Sequence, residues 1–294
     1  MKITDAVIPV AGLGTRLLPA TRSQPKEMLP VVDKPVVQYV VEELVAAGVE
    51  RVLFVTGRRK RAIEDHFDAD PELERALGVD PPLDPRGGLK LLYTRQLRPD
   101  GLGDALRYAE GFGDGRGLVV ALGDTIVAPP APPAPPAPGI VRRLVEAYGE
   151  LGVDAAVAVV EVGDEAVSSY GIVCGTEIRD GVIEVTDMIE KPDPSEVTSR
   201  LAVAARYVLG PSVFAALRAT APDARGEVQV ADALRAVLRD GGRVVAVPLA
   251  HGERRYDIGT VEGYCQAFLD LAFADPRVGP ALRARAATLL DGRR

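Results

Sequence analysis

An apolar run at residues 6–10 stops at the loop Gly12-Leu-Gly14, and this junction restricts the possible folds more than any other part of the chain. The run is typical of a buried strand, and glycines at its end let the backbone approach a ligand closely. Arg16 and Lys26 follow the loop, and basic side chains beside free N–H groups suit a polyphosphate. A dinucleotide fold needs a third glycine where Leu17 stands, and no Walker Gly-Lys-Ser/Thr follows, so the pattern indicates a phosphate loop of another kind.

Short apolar runs alternate with helical patterns after this loop. Apolar residues at helical spacing predict a helix between Asp33, a candidate cap, and Gly48, a candidate stop. Strands are predicted at 51–56 and near 89–94 and 117–122, with a helical segment near 102–111. The alternation predicts an α/β fold: a Rossmann-like mixed, mostly parallel sheet with helices on both faces and ligands at the carboxyl ends of the strands.

The later part of the chain changes in texture. Residues 153–209 are rich in strand patterns, with a turn at 179–181, and the stretch after Thr260 is helical throughout. We therefore expect a catalytic domain at 1–259 and a C-terminal helical arm at 260–294. Residues 129–138 contain seven of the 24 prolines and predict an extended polyproline spacer. A docking site for a proline-reading partner, or a border of the active site, are the alternatives.

Composition limits the partners. The chain has 35 Lys and Arg against 42 Asp and Glu, a net charge of -7, so we expect no nucleic-acid partner. Its two cysteines are far apart in sequence and receive no role. The N-terminal segment fits neither a signal peptide nor a membrane span, which leads us to expect a cytoplasmic protein without a membrane partner.

Two long motifs carry a family resemblance. Residues 12–21 (GLGTRLLPAT) and 25–35 (PKEMLPVVDKP) closely resemble the opening of bacterial UTP-glucose-1-phosphate uridylyltransferases, within the sugar-nucleotide pyrophosphorylase superfamily. Further matches follow in order at 55–58 (VTGR), 60–67 (KRAIEDHF), 169–173 (SYGIV), 189–192 (IEKP), 206–209 (RYVL), 226–229 (GEVQ) and 256–259 (YDIG). The resemblance implies the nucleotide-diphospho-sugar transferase fold, a nucleoside triphosphate and a sugar 1-phosphate as substrates, and a homodimer or homotetramer.

The resemblance also implies a set of site residues. Asp124 and Asp257 would hold Mg²⁺, while Arg16 and Lys26 would face the triphosphate. Lys191 would anchor the sugar phosphate, beside Glu190 on the sugar hydroxyls and Gly171 at the ring. Pro192 biases Lys191 towards an extended conformation. The nucleotide would contact Ala11, Gly12, Leu13, Gly14, Thr15, Gln96 and Gly101, with Glu27 accepting the imide N–H of the base.

The implied reaction needs no protein nucleophile. An ionised phosphate oxygen attacks the α-phosphorus of the triphosphate, so the lack of a Ser/His/Asp or Cys/His arrangement is expected, and His66 and His251 are interpreted as structural.

The sequence departs from the family pattern near the expected base site. Asp104 stands where the uridylyltransferase pattern has histidine, Thr125 replaces a common acidic residue, and Ala205 a usual glycine. We therefore expect appreciable use of dTTP or GTP. Two alternatives stay open: a sugar nucleotidyltransferase of secondary metabolism with another base or sugar, and a non-catalytic regulatory paralogue.

Overall fold

A computed structural model describes residues 2–78, 88–129, 138–179 and 181–292. Residues 130–137, most of the proline-rich segment, lie outside these ranges, as does Asp180 of the predicted turn. The spacer interpretation therefore stays a prediction.

The described residues contain a nine-stranded sheet in the order β5-β4-β1-β6-β11-β8-β12-β10-β9. Strands β10 and β11 run against the other seven, so the sheet is mixed and mostly parallel, as predicted. Two further pairs of short antiparallel strands, β2–β3 and β7–β13, lie outside it. The strands are β1 (Asp5–Pro9), β2 (Pro30–Val31), β3 (Lys34–Pro35), β4 (Arg51–Thr56), β5 (Lys90–Arg95), β6 (Leu118–Ala121), β7 (Thr125–Ala128), β8 (Ala155–Glu161), β9 (Gly171–Arg179), β10 (Val182–Glu190), β11 (Leu201–Leu209), β12 (Val244–Pro248) and β13 (Arg254–Asp257).

Helices cover both faces of the sheet because its strand residues alternate between two cores. Val7 of β1 packs into one core with Leu106 and Leu234, whereas Ile8 packs into the other with Val41 and Leu144. The helices are α1 (Val36–Ala46), α2 (Arg61–Phe67), α3 (Pro71–Leu77), α4 (Leu102–Arg107), α5 (Ile140–Leu151), α6 (Pro211–Ala219), α7 (Val230–Arg239), α8 (Val261–Ala274) and α9 (Gly279–Leu290). The first core lies under α4, α6 and α7, and the second under α1, α2 and α5.

Two helices, α8 and α9, cover most of the stretch predicted to be helical after Thr260, with a break at residues 275–278. Ala267 and Leu271 of α8 pack into a third core with Leu17 and Val31, close to the start of the chain. The first helix of the predicted arm is therefore attached to the part of the molecule that carries the glycine loop. The domain division at 259/260 stays a prediction.

Two local expectations were wrong. Asp33 does not cap α1: the residue before the helix is Pro35, without a side-chain cap, because the β2–β3 hairpin delays the helix start. Asp33 instead accepts a hydrogen bond from Arg277 at 2.6 Å. The helix expected at 102–111 ends as an α-helix at Arg107, and looser turns follow.

The largest fully buried side chain in the described residues is a charged one, Arg206. Its guanidinium donates to the Glu43 carboxylate at 2.7 Å and to the carbonyl of Thr125 at 2.8 Å. Longer bonds reach the carbonyls of Leu122 at 3.4 Å and Ala205 at 3.3 Å. Arg206 of β11 thus ties α1 to the backbone on both sides of Asp124.

Replacing Arg206 by methionine should lower the free energy of unfolding by about 3–5 kcal/mol, because it leaves Glu43 partly buried without its cation. The measurement is urea unfolding followed by circular dichroism. The double variant Arg206→Met/Glu43→Met removes both charges and should recover part of the loss. A single variant within about 1 kcal/mol of the parent would contradict this account.

Candidate active site

Two cavities adjoin each other: the smaller opens where β1, β5 and β6 end, and the larger extends from the end of β6 to the ends of β10 and β13. The larger has a volume of about 880 Å³ and the smaller about 420 Å³. Both are lined by Leu102, Leu122, Asp124 and Glu227, so they form one cleft with Asp124 at the junction. The location agrees with the expectation that ligands bind at the carboxyl ends of parallel strands.

The smaller cavity collects the predicted nucleotide-binding residues. It is lined by Ala11, Gly12, Leu13, Gly14, Thr15, Glu27, Gln96 and Gly101, together with Lys26. Gly14 has a φ of 67°, a left-handed conformation that favours glycine, and its carbonyl accepts from the Thr21 hydroxyl at 2.8 Å. Gly57 packs so tightly that a Cβ there would lie 3.1 Å from the Ala11 carbonyl oxygen. The loop is therefore held close to the end of β4.

The larger cavity collects the residues predicted for the sugar phosphate. Gly171, Glu190 and Lys191 line it, as do Arg16 and Asp257. Lys191 forms an ion pair with Glu190 at 2.9 Å. Gly171 pairs with Glu190 between β9 and β10, and a Cβ at Gly171 would come within 3.1 Å of the Glu190 Oε2 atom. Glycine here leaves space for that carboxylate.

The backbone of Lys191 differs from the extended conformation that Pro192 suggested. Its φ is 46°, in the left-handed region that non-glycine residues rarely adopt. The Lys191 N–H donates to the Tyr170 carbonyl at 3.1 Å directly after β10 ends. Tertiary pairing therefore overrides the local preference, and such strain is common where a side chain is aimed into a site.

An ion pair between Lys26 and Asp124 lies at the junction of the cavities. Lys26 donates to Asp124. Burial alone would lower the pKa of Lys26, but the charges of Asp124 and Glu27 outweigh it and raise that pKa. Burial likewise tends to raise the pKa of Asp124, but the Lys26 charge and the hydrogen bonds to the carboxylate together outweigh it and lower that pKa. Both groups are therefore held in their charged forms.

Asp257 reaches the same junction through strand pairing. It lies opposite Thr125 in the β7–β13 pair, and the next residue, Ile258, donates its N–H to the Asp124 carbonyl at 3.1 Å. Arg16 is adjacent, because a Cβ added at Gly259 would lie 2.8 Å from its guanidinium and 2.9 Å from Asp257 Oδ1. The structure thus brings Arg16, Lys26, Asp124 and Asp257 together.

The carboxylates of Asp124 and Asp257 at the junction suit a magnesium ion. They do not form a metal site in which the protein supplies all the ligands. Asp124 and Asp257 both line the larger cavity, and the described residues contain no cluster of three or more His, Cys, Asp or Glu side chains suited to a metal. Mg²⁺ usually takes one or two carboxylates and completes its shell with water and substrate phosphates. Two carboxylates beside a cleft meet that requirement.

Comparison with known proteins agrees with this geometry. The nucleotidyl transferase family model matches residues 5–273. The chain belongs to this family. A UTP–glucose-1-phosphate uridylyltransferase, YngB of Bacillus subtilis (strain 168), is 42% identical over 290 residues, which cover 96% of this chain and 94% of that protein. The resemblance expected from the sequence is confirmed.

Solved structures support the same assignment. A crystal structure of UDP-glucose pyrophosphorylase complexed with UDP-glucose is 37% identical, with a TM-score of 0.81 and coverage of 92% of this chain and 98% of that one. UTP-bound UGPase from Acinetobacter baumannii is 32% identical, with a TM-score of 0.86 and coverage of 98% and 100%.

In the part of this nucleotidyltransferase that the structure describes, no helix has the length and apolar character needed to cross a membrane.

Sequence reasoning missed a buried ion pair in this nucleotidyltransferase. Lys60 and Glu27 are 5% and 1% exposed, and Lys60 Nζ donates to Glu27 Oε2 at 2.7 Å. Burial raises the pKa of Glu27 and lowers that of Lys60, in each case against the opposing charge of the partner. The sequence did contain a signal for this pair. Lys60 follows β4 closely, and β4 pairs with β1, the strand that precedes the segment carrying Glu27. The predicted contact between Glu27 and a base imide stays a prediction.

Several residues of the larger cavity also lacked a predicted role. The Arg255 guanidinium lies 4.0 Å from the centre of the Tyr170 ring and donates to the Val203 carbonyl at 3.0 Å. Arg225, Glu227 and Gln229 line the same cavity. Their signal was present, because they fall within or beside the motifs 226–229 and 256–259 that carried the resemblance.

Replacing Lys60 by methionine should destabilise the fold most at high pH. Without the ammonium, the already raised pKa of Glu27 rises further, so the folded state binds more protons than the unfolded state and its stability falls as pH rises. The deficit against the parent should be about 3–5 kcal/mol near pH 8 and shrink towards pH 5, as measured by urea unfolding. In Glu27→Gln/Lys60→Met this carboxyl group is absent, so the deficit should not grow as pH rises; a single variant whose deficit likewise does not grow would refute the pairing.

Proposed function

We propose that this protein transfers the uridylyl group of UTP to glucose 1-phosphate, giving UDP-glucose and pyrophosphate in a reversible reaction. The observation that carries the proposal is the cleft itself: a cavity bounded by the glycine loop adjoins a cavity bounded by Glu190 and Lys191. Lys26 and Asp124 stand where the two meet. The names of the relatives, a UTP–glucose-1-phosphate uridylyltransferase and a UDP-glucose pyrophosphorylase, support these substrates.

The chemistry requires two anions to approach each other. An oxygen of the sugar phosphate attacks the α-phosphorus of UTP and forms a phosphorus–oxygen bond, while the bond from the α-phosphorus to the oxygen bridging to the β-phosphate breaks and pyrophosphate leaves. Because the attacking oxygen is already ionised, the protein need only position and neutralise charge.

The cationic side chains divide this work between the two cavities. Lys191, in the larger cavity, holds the phosphate of glucose 1-phosphate, and Glu190 accepts hydrogen bonds from sugar hydroxyls. Lys26 faces the triphosphate at the junction and stabilises charge as it passes to the departing pyrophosphate. Arg16, near Asp257, contacts the outer phosphates. A base in the smaller cavity meets Gln96, Gly101 and the loop from Ala11 to Thr15.

Asp124 and Asp257 are the residues that would hold Mg²⁺. When bound, the ion supplies positive charge that offsets the repulsion between the two substrates. Lys26 already donates to Asp124, so the junction combines a fixed ammonium group with carboxylates able to bind a cation.

The proposal is tested by measuring pyrophosphate release with UTP, dTTP, GTP, CTP and ATP against several sugar 1-phosphates. UTP with glucose 1-phosphate should be turned over in the presence of Mg²⁺, and excess chelator should abolish the rate. Full activity in chelator would overturn the metal assignment. A clear preference for dTTP, GTP or another sugar phosphate would favour the alternative of a related enzyme of secondary metabolism. The sequence observation behind this alternative is Asp104, which stands where the family pattern has histidine.

Replacing Lys191 by alanine should lower kcat roughly a hundred- to a thousandfold, as expected for removing a preorganised charge that acts on the transition state. Lys34 offers a matched control, because it is a similarly exposed lysine paired with a glutamate, Glu42, at 2.6 Å, and lines neither cavity. Lys34→Ala should stay within about twofold of the parent rate. A folded Lys191→Ala variant with a rate within threefold of the parent would remove Lys191 from the site.

We further propose that the protein is a homodimer or homotetramer that associates through α8 and α9. Both helices expose large apolar side chains, among them Val261, Leu269, Leu289 and Leu290. Large exposed apolar side chains on two neighbouring helices offer a surface that a second subunit can cover. The mass in solution, measured by light scattering after size exclusion, tests the association.

A further inference from the structure

The side-chain amide of Gln96 is fixed in one orientation. Gln96 follows β5 and is 5% exposed, and it lines the smaller cavity. Its Nε2 atom donates to Asp104 Oδ2 at 2.7 Å and to the Gly101 carbonyl at 3.3 Å. A carboxylate and a carbonyl only accept, so the NH₂ group must face them and the opposite orientation would place oxygen against oxygen.

The remaining atom of this amide is open to the cavity. Among the described residues no donor reaches Gln96 Oε1, and this oxygen is not one of the fully enclosed side-chain atoms without a partner. The surface that Gln96 offers to a ligand is therefore an acceptor.

Asp104 is itself held through its other carboxylate oxygen, Oδ1. Arg107 lies 3.7 Å from its Oδ1 atom and donates to the carbonyls of Leu217 at 2.6 Å and Thr220 at 2.8 Å, at the end of α6. The turn between Gln96 and Asp104 is packed as closely: a Cβ at Gly101 would lie 2.8 Å from backbone atoms of Val228. The orientation of Gln96 is thus imposed by the fold and present before any ligand binds.

We propose that Asp104 is a specificity-determining positioning residue, which holds Gln96 so that its Oε1 atom accepts a ring N–H of the nucleobase. The inference rests on the proposed function, because the smaller cavity must receive the base of the nucleotide. Uracil and thymine present an N3–H donor to such an acceptor, whereas cytosine presents a bare ring nitrogen. Glu27, the acceptor expected from the sequence for this N–H, is 1% exposed and paired with Lys60, so in this proposal Gln96 takes that role instead. For cytosine the Gln96 amide would have to rotate, and the Asp104 carboxylate opposes that rotation.

The test compares kcat/KM for UTP and CTP at saturating glucose 1-phosphate. In Asp104→Asn the new amide can donate to Gln96 Oε1, so Gln96 can rotate and offer its NH₂ group to cytosine. The preference for UTP over CTP should fall by about tenfold, within the five- to hundredfold range of an unsatisfied buried polar group. Asp100→Asn is the matched control, because Asp100 is an exposed aspartate in the same turn; its preference should stay within twofold of the parent.

A second pair of variants shows whether Asp104 acts through Gln96. In a Gln96→Met background, Asp104→Asn should leave the UTP to CTP preference unchanged, because no amide remains to be oriented. Asp104→Ala also removes the acceptor and should shift the preference of the otherwise native protein in the same direction as Asp104→Asn. It replaces Asp104→Asn in the test if Asp104→Asn is unstable.

Two results would overturn the inference. The first is an unchanged preference in both Asp104 variants, including the case of an equal loss for UTP and CTP, which indicates a structural role only. The second is a change of preference in the Gln96→Met background as large as in the otherwise native protein. If the parent does not turn over UTP with glucose 1-phosphate, the proposed function fails, and equilibrium binding of UTP and CTP to the same variants then decides the role of Asp104 independently.

Discussion

The buried guanidinium of Arg206 is the interaction on which the position of Asp124 depends. Removing a guanidinium from water is costly unless its charge is paired and its N–H groups are bonded. Glu43 supplies the charge, and the carbonyls of Leu122 and Thr125 take further N–H groups. Those carbonyls flank Asp124, so the compensation that Arg206 requires also fixes the backbone of the carboxylate at the junction of the two cavities.

A second constraint is the order of charges beside that junction. Four groups of alternating charge follow one another there: Lys60, Glu27, Lys26 and Asp124. Lys60 pairs with Glu27, and Lys26 pairs with Asp124. Each inner group therefore faces groups of opposite charge, which offsets part of the cost of burying four ionisable groups in a poorly solvated part of the protein. The ammonium of Lys26 stays charged and in place there, which is what a group that neutralises phosphate oxygens must do.

Sequence reasoning recovered the features that depend on neighbouring residues. The strand at 51–56 matches β4, and the glycine-loop residues all line one cavity, because a loop that follows a parallel strand opens at the ligand-binding edge. It missed Arg206 and Lys60 because their carboxylate partners lie 163 and 33 residues away. Local preference also failed at Lys191, where the bond to Tyr170 determines the backbone.

The departure from the family at Ala205 has a structural counterpart of the same long-range kind. Its φ is 65°, a conformation in which glycine is unstrained and alanine is not, and it lies where the pairing of β11 with β8 shifts register. The distorted backbone directs the Ala205 carbonyl to the N–H of Leu122 at 3.1 Å and to Arg206 at 3.3 Å. The strain is thus retained by the same contacts that position Asp124, while the methyl group that glycine would lack belongs to a residue lining the larger cavity. The backbone position of Asp124 and the shape of the larger cavity therefore share one short segment of β11, and a change in that segment alters both.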